Sequence, residues 1–422
     1  MSFRDDWPKN PDGIDFDGKG LLKLVRSGRS PFRSAWNVEL LIREIEEKLG
    51  SKIVDIPSVL KGSNNYGFDI TMENGVRILA RLARGDVNMP DFDGFPVEEQ
   101  VAEVEFEAAA YTLLRSEATI LPSRLLYHRV PVLDIGRSND IPATIKGRRL
   151  LVFEKADGEN NVWADLDSRQ KMNLLGQCAN MRAALFKFRL PMDFAARWLR
   201  ERLFAQRPDS FPIPVAPTRD FTHALLTSKI EATIKNVGDM IGWEDDNEVV
   251  GPIAAAAKRS MLHLLPHILP VGSDQFESAL YRLVLEHGDL GIHNMSIVRA
   301  VDGDPLVTSV YDWETGCIVP AILSDPLMAV EVDLVVDEDA KPAISRIHDA
   351  SSEEYRSQCM GWAKCYFDTL YIQAPEYAQA IKAGRDVRHL WLALREWRGD
   401  DPEGYFGELG AWAEKRMKEL MI

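Results

Sequence analysis

Cysteine is scarce in this chain, with four in 422 residues. Cys178, Cys317, Cys359 and Cys365 show no C-x-x-C spacing, which excludes a zinc site or a disulfide framework and predicts reduced thiols. Positive charge is also short: 50 Lys and Arg stand against 65 Asp and Glu, a formal charge of −15. A surface that binds a nucleic-acid backbone or anionic lipid needs a basic field, so neither nucleic acid nor membrane is expected as a partner. Long apolar runs are absent, and no stretch reaches membrane-spanning length. Residues 1–24 carry acids, Trp7 and glycines where a secretory signal would need a basic start and an apolar run. These absences predict a soluble, cytoplasmic protein. What is present is a 45% hydrophobic composition, enough for two lobes each with its own core. No internal repeat is visible.

Residues 1–35 are rich in Gly, Pro and charge and read as an extension packed loosely on the first lobe. Val38, Leu41, Ile42, Ile45 and Leu49 recur at helical spacing, which predicts an amphipathic helix over 36–49, with a strand following near Ile53. Tyr66–Met72 and Val76–Leu82 flank Asn74-Gly75, a hairpin signal because Asn-Gly supplies positive φ angles. A helix is expected over 97–115 and a strand over 148–154, ending at Lys155-Ala156-Asp157-Gly158. The expected division is therefore an extension at 1–35, a first lobe at 36–152 and a second at 153–422. The second lobe reads as mainly helical, with helices over 169–188, 224–240 and 253–265 and a proline-punctuated loop at Pro208, Pro212, Pro214 and Pro217. Within it lies a β-rich insert: Leu283–Leu285, Met295–Val298 and Leu306–Tyr311, with a turn at Asp302-Gly303.

The chemistry-bearing residues are concentrated in that insert. His287-Gly288-Asp289-Leu290-Gly291-Ile292-His293-Asn294 has H-x-D-x-x-x-x-N spacing between two apolar strands, and Asp312 ends the next strand, eighteen residues past Asn294. Phosphoryl transfer needs one carboxylate facing the acceptor hydroxyl and oxygen ligands for the cations that neutralise the phosphates. Asp289 is the candidate base or positioning group, and Asn294 and Asp312 are candidate metal ligands; the competing reading is an Asp- and Asn-rich turn used for capping. His287 is read as a brace of the loop and His293 as an incidental residue, since Mg²⁺ prefers oxygen.

The stretches 287–294 and Tyr311-Asp312-Trp313-Glu314-Thr315-Gly316-Cys317-Ile318-Val319-Pro320 resemble the aminoglycoside phosphotransferase and choline kinase family. The resemblance implies a two-lobed, protein-kinase-like α+β fold: a small lobe with an antiparallel sheet and a larger, mainly helical one, using ATP and Mg²⁺. Asp312-Trp313-Glu314 stands in the place of the Asp-Phe-Gly of protein kinases, Gly288 replaces the arginine of their His-Arg-Asp, and no Ala-Pro-Glu element follows. Those departures favour a small-molecule kinase; a protein kinase and a non-catalytic nucleotide-binding protein of the same fold are the alternatives.

The resemblance spans roughly residues 54–326 in scattered motifs. Residues 62–68 (GSNNYGF) resemble the family's nucleotide loop, with Gly62, Asn64 and Asn65 expected near the phosphates; a plain turn is the alternative. Arg81 falls where kinases place their phosphate-binding lysine and matches the arginine of fungal-type relatives, with Arg84 as competitor. Glu107 lies on the apolar stripe of Val104, Ala108 and Tyr111, and a buried carboxylate needs a cation. It is the expected partner of Arg81, with Glu103 one turn earlier as the runner-up. Residues 151–158 resemble the hinge, where adenine would bond the carbonyl of Glu154 and the N–H of Ala156. The acceptor is expected to be a small alcohol, cationic or amine-bearing given the acidic chain. Asp325-Pro326 and the acids of 331–339 are open to two readings, an acceptor-facing patch or a solvated surface.

Overall fold

A computed structural model describes residues 7–9, 13–84, 97–132, 145–204, 206–237, 240–242, 247–300, 303–337 and 339–422. The expected turn residue Asp302 and part of the acidic stretch lie outside them. The chain forms two compact units. Unit 1 takes in the chain to Glu159 together with Met295–Val298 and Val307–Glu314; unit 2 takes in Asn160–Asn294, Arg299–Leu306 and Thr315–Ile422. No helix of the described residues is long and apolar enough to cross a membrane.

Unit 1 is built on a five-stranded antiparallel sheet of β1 (Ile53–Lys61), β2 (Asn65–Met72), β3 (Arg77–Ala83), β4 (Leu125–Arg129) and β5 (Leu150–Glu154), in the order β1-β2-β3-β5-β4. The expected β2–β3 hairpin is present, with Phe68 opposite Ala80 and Ile70 opposite Ile78. Its turn differs from the expectation: only Gly75 takes positive φ, at 82°. The loop is longer, closed by Met72 N–H donating to Val76 O at 2.9 Å, while the Asn74 side chain accepts from Val76 N–H at 3.1 Å. The side-chain bond removes any need for Asn74 to adopt the left-handed conformation.

Among the described residues three α-helices belong to unit 1. Helix α1 (Leu21–Arg26) precedes α2 (Val38–Leu49), which starts at Asn37, whose side chain caps Glu39 N–H, and stops at Gly50 with φ of 65°. Helix α3 (Val97–Leu114) connects β3 to the rest of the sheet. The N-terminal segment is not loosely packed. Leu21 and Phe32 are fully buried, Phe16, Leu22 and Val25 nearly so, and Trp7, Phe16, Phe32, Trp36, Tyr66 and Phe68 form one ring cluster. Each such side chain removed from water stabilises by about 1.5–3 kcal/mol. Apart from Leu21, Leu22 and Val25 on α1, its apolar residues follow no helical or strand period, so periodicity did not reveal Trp7, Phe16 and Phe32.

Unit 2 is mainly helical. Its first long helix, α4 (Ser168–Lys187), opens with a capping box in which Asp167 accepts from Gln170 N–H and the Gln170 side chain returns a bond to Asp167 N–H. The helix expected at 224–240 runs instead over Arg219–Thr233, because the Thr218 hydroxyl caps Phe221 N–H and sets the start earlier. Val250–Ile268 extends the expected helix at both ends. Four further helices close the chain, Glu353–Gln373, Pro375–Ala383, Arg385–Glu396 and Pro402–Leu420. Strand Leu283–Glu286 pairs antiparallel with Cys317–Pro320, and this pair carries the catalytic-loop candidate.

Candidate functional site

In unit 2 the sequence His287–Asn294 leaves the buried strand Leu283–Glu286 through Gly288, where φ is +83°. A Cβ there would stand 2.1 Å from the carbonyl oxygen of Thr315, so only glycine fits the close approach. That contact accounts for Gly288 in place of a larger residue. His287 is fully buried, and the Thr315 hydroxyl donates to its carbonyl at 3.3 Å. Asp289 follows with its side chain 53% exposed.

One carboxylate oxygen of Asp289 accepts from Asn294 Nδ2 at 3.1 Å and meets His293 Nε2 at 3.0 Å; Asn294 Nδ2 also donates to the Asp289 carbonyl at 2.9 Å. His293 is therefore not incidental. Its hydrogen bond is the main cause that lowers the Asp289 pKa below the ordinary aspartate value, with burial opposing and Asn294 assisting. The i, i+4 spacing of Asp289 and His293 is the signal in the sequence for this pair. Asn294 turns both amide bonds toward Asp289, which leaves its Oδ1 as the acceptor end.

The second set of residues meets within unit 1. Arg81, on β3, reaches Glu107 Oε1 of α3 at 3.4 Å and Asp312 Oδ1 at 2.7 Å. Glu107 is 2% exposed and accepts from the Tyr111 hydroxyl at 3.2 Å, one helical turn on. The same hydroxyl accepts from Asp312 N–H at 2.9 Å, so α3 holds the Asp312 backbone directly, while the Asp312 carboxylate is held by Arg81 of β3. Asp312 has φ of +72°, a conformation aspartate tolerates better than most residues and one that stores strain at this point. Arg84, the competitor, is turned elsewhere: its Nη1 donates to the carbonyls of Gly62 and Ser63, each at 3.0 Å, and its N–H to Asn64 O at 3.0 Å.

Those bonds organise the Gly62–Asn64 turn between β1 and β2. Peptide N–H and C=O point in opposite directions across a trans unit, so aiming the carbonyls of residues 62 and 63 at Arg84 turns the N–H groups of Ser63 and Asn64 away from it. Gly62 N–H closes the turn on Asn65 O at 2.9 Å, so Gly62 contributes turn geometry rather than a free donor. Asn65 is nearly buried on β2, and its Oδ1 has no hydrogen-bond partner among the described residues. Asn64 Nδ2 donates to Glu314 at 3.0 Å. Glu154 ends β5 opposite Ile78, with its N–H on Arg124 O at 2.9 Å and its carboxylate on Arg124; Ala156 follows, half-buried.

Glu103, the runner-up partner, pairs with Arg149 at 3.3 Å, and Arg149 also reaches Glu314 at 3.2 Å. Neither Arg149 nor Glu314 was singled out from sequence, since each is one charged residue in a strand or turn until the fold brings them together. Two guanidiniums thus face four carboxylates, Glu103, Glu107, Asp312 and Glu314. Burial, aided by Glu314 and Asp312 and opposed by Arg81, pushes Glu107 up to about 7, while the facing carboxylates hold Arg81 firmly charged. Among the described residues no group of three or more His, Cys, Asp or Glu is arranged to hold a metal. The Asn294 Oδ1 and the Asp312 carboxylate are nonetheless hard oxygen donors, which suit Mg²⁺ bound by few protein ligands plus phosphates.

No family model matches the chain, and no curated protein matches it. Several solved structures are similar to it. A microcompartment-associated aminopropanol kinase is 14% identical with a TM-score of 0.36, the match covering 90% of this chain and 98% of that one. The ADP-bound aminoglycoside phosphotransferase APH(2″)-Ib is 10% identical with a TM-score of 0.43, covering 89% and 97%. An ethanolamine kinase of Plasmodium vivax is 12% identical with a TM-score of 0.39, covering 88% and 82%.

Proposed function

We propose that this protein is an ATP-dependent, Mg²⁺-requiring phosphotransferase of the cytoplasm that phosphorylates a hydroxyl of a small molecule. The observation that carries the reading is Arg81 bridging Glu107 and Asp312: a largely covered cation on a strand, its side chain 13% exposed, fixed by a helix carboxylate and by the aspartate of the 312–314 segment. Phosphate-binding sites need such a pre-positioned cation. Asp289 orients the acceptor hydroxyl and accepts its proton, and its hydrogen bonds to His293 and Asn294 hold it anionic and in one orientation for that task. The N–H groups of Ser63 and Asn64, in the turn that Gly62 and Asn65 close, and Arg81 hold the phosphates, with Glu107 fixing Arg81, and the Glu154–Ala156 backbone takes the adenine. Asn294 and Asp312 are the ligands we assign to Mg²⁺, which when bound supplies neutralisation of phosphate charge.

The acceptor we favour is an amine-bearing small alcohol, on the strength of the acidic chain. ADP release, measured across a panel of amino alcohols, aminoglycosides, amino sugars and neutral sugars, tests this directly. Stimulation by amines supports the whole reading; stimulation by neutral or acidic compounds alone removes the amine preference. Phosphate transfer from labelled ATP into a protein extract rather than a metabolite extract would replace the small-molecule kinase with a protein kinase.

A further inference from the structure

The contacts around Arg81 are repeated one helical turn away. Glu107 and Glu103 lie four residues apart on α3, Arg81 and Arg149 belong to adjacent strands or their ends, and Asp312 and Glu314 lie two apart on one segment. The result is two rungs, Glu107–Arg81–Asp312 and Glu103–Arg149–Glu314, joined where Arg81 also comes within 4.0 Å of Glu314. Arg149 is the buried centre of its rung, 4% exposed, while Glu314 and Glu103 at its ends are 17% and 29% exposed. A buried ion pair adds little net stability over an apolar replacement, so the rung is better understood by what it holds than by what it stabilises. What it holds is the nucleotide-loop turn. Glu314 gives one oxygen to Arg149 and the other to Asn64 Nδ2, so the chain of bonds runs from Glu103 of α3 through Arg149 and Glu314 to Asn64.

We propose that Arg149 is a positioning residue which, through Glu314 and Asn64, fixes the Gly62–Asn64 turn against the Asp312–Glu314 segment so that nucleotide phosphates meet a preset loop. All of these groups lie in unit 1. The phosphate role rests on the function proposed above; the support of the turn does not. Arg84 fixes the turn's backbone from one side and the rung fixes its side chain from the other.

The test compares the full chain with Arg149→Met, Arg149→Lys, Glu314→Gln and Asn64→Ala, by amide hydrogen exchange without ligand and by calorimetric titration with Mg·ATP. Met, Gln and Ala variants are expected to raise exchange over residues 62–68 and to weaken Mg·ATP about tenfold, equivalent to about 1.4 kcal/mol. Arg149→Lys should recover part of both, because an ammonium still reaches one carboxylate. Combining Arg149→Met with Asn64→Ala should add nothing further, since both break one chain of contacts. Unchanged exchange over 62–68 in folded Asn64→Ala and Glu314→Gln proteins overturns the inference, even where Arg149→Met fails to fold. So does an additive double variant. Loosening of the turn in the variants of a chain that itself binds no Mg·ATP would remove the nucleotide reading and leave the rung as the support of the turn.

Discussion

Asp289 and Asp312 are both held by hydrogen bonds, yet by opposite means. Around Asp289 the partners are neighbours in sequence, four and five residues on, and the carboxylate stays half in water. Around Asp312 the partner is Arg81, 231 residues away, and further carboxylates crowd the same cations. A loop of the first kind can be formed by its own short segment, whereas a cluster of the second kind exists only when the sheet, α3 and the 312–314 segment are all in place. The first suits a group that must meet a variable acceptor. The second suits a rigid, charge-dense holder of phosphates.

The sharpest way to break that contrast is at Asp289. Asp289→Asn keeps the hydrogen-bonding shape but removes the base, and kcat should fall by about 10² to 10⁴ while ATP binding stays close to that of the wild-type chain. Near-normal turnover would reduce Asp289 to a structural loop residue. Asp312→Ala should act on the other side of the comparison, with loss of Mg²⁺-dependent nucleotide affinity. Unchanged Mg·ATP binding by calorimetry would make Asp312 a partner of Arg81 and nothing more.

A smaller effect separates the two sites by pH. Glu107 is raised in the folded chain to about 7 from an ordinary value of 4.5. A raised carboxyl contributes stability fully present below the unfolded value and lost as pH rises through the folded one. In the metal-free protein, Glu107→Gln should therefore gain on the wild-type chain between about pH 4.5 and 7, by up to about 3 kcal/mol. Asp289 has the opposite sign, its pKa being lowered, so its contribution is present above the ordinary aspartate value and fades as pH falls below it. Parallel denaturant titrations at several pH values check both; a Glu107→Gln difference that does not change with pH would mean that the pull of Arg81 cancels the cost of burial and leaves Glu107 at its ordinary value.

How much of this was legible in the sequence follows the same division. The β2–β3 hairpin, α2, α3, β5 and the strand–loop–strand around Asp289 were readable because each is specified by residues within one segment: period, turn residues and motif spacing. The pairing of Arg81 with Glu107 was also reachable, since an acid on the apolar stripe of a helix demands a cation. The packing of the N-terminal segment was not, because Phe16 and Phe32 are spaced without period and gain their meaning only in the ring cluster with Tyr66 and Phe68.

By itself the sequence determined the local elements, the excess of acid and the residue types able to move a phosphate. The tertiary structure decided which charges meet. Asn64 and Glu314 are 250 residues apart, and Arg149 and Glu314 165 apart. No periodicity reports such separations, because a single charged residue on a strand has the same local preferences whether it faces water or a buried carboxylate. Burial then sets the outcome: the same glutamate that would be an ordinary solvated acid on an isolated helix becomes, beside Arg81 and two further carboxylates, a group that titrates near neutrality.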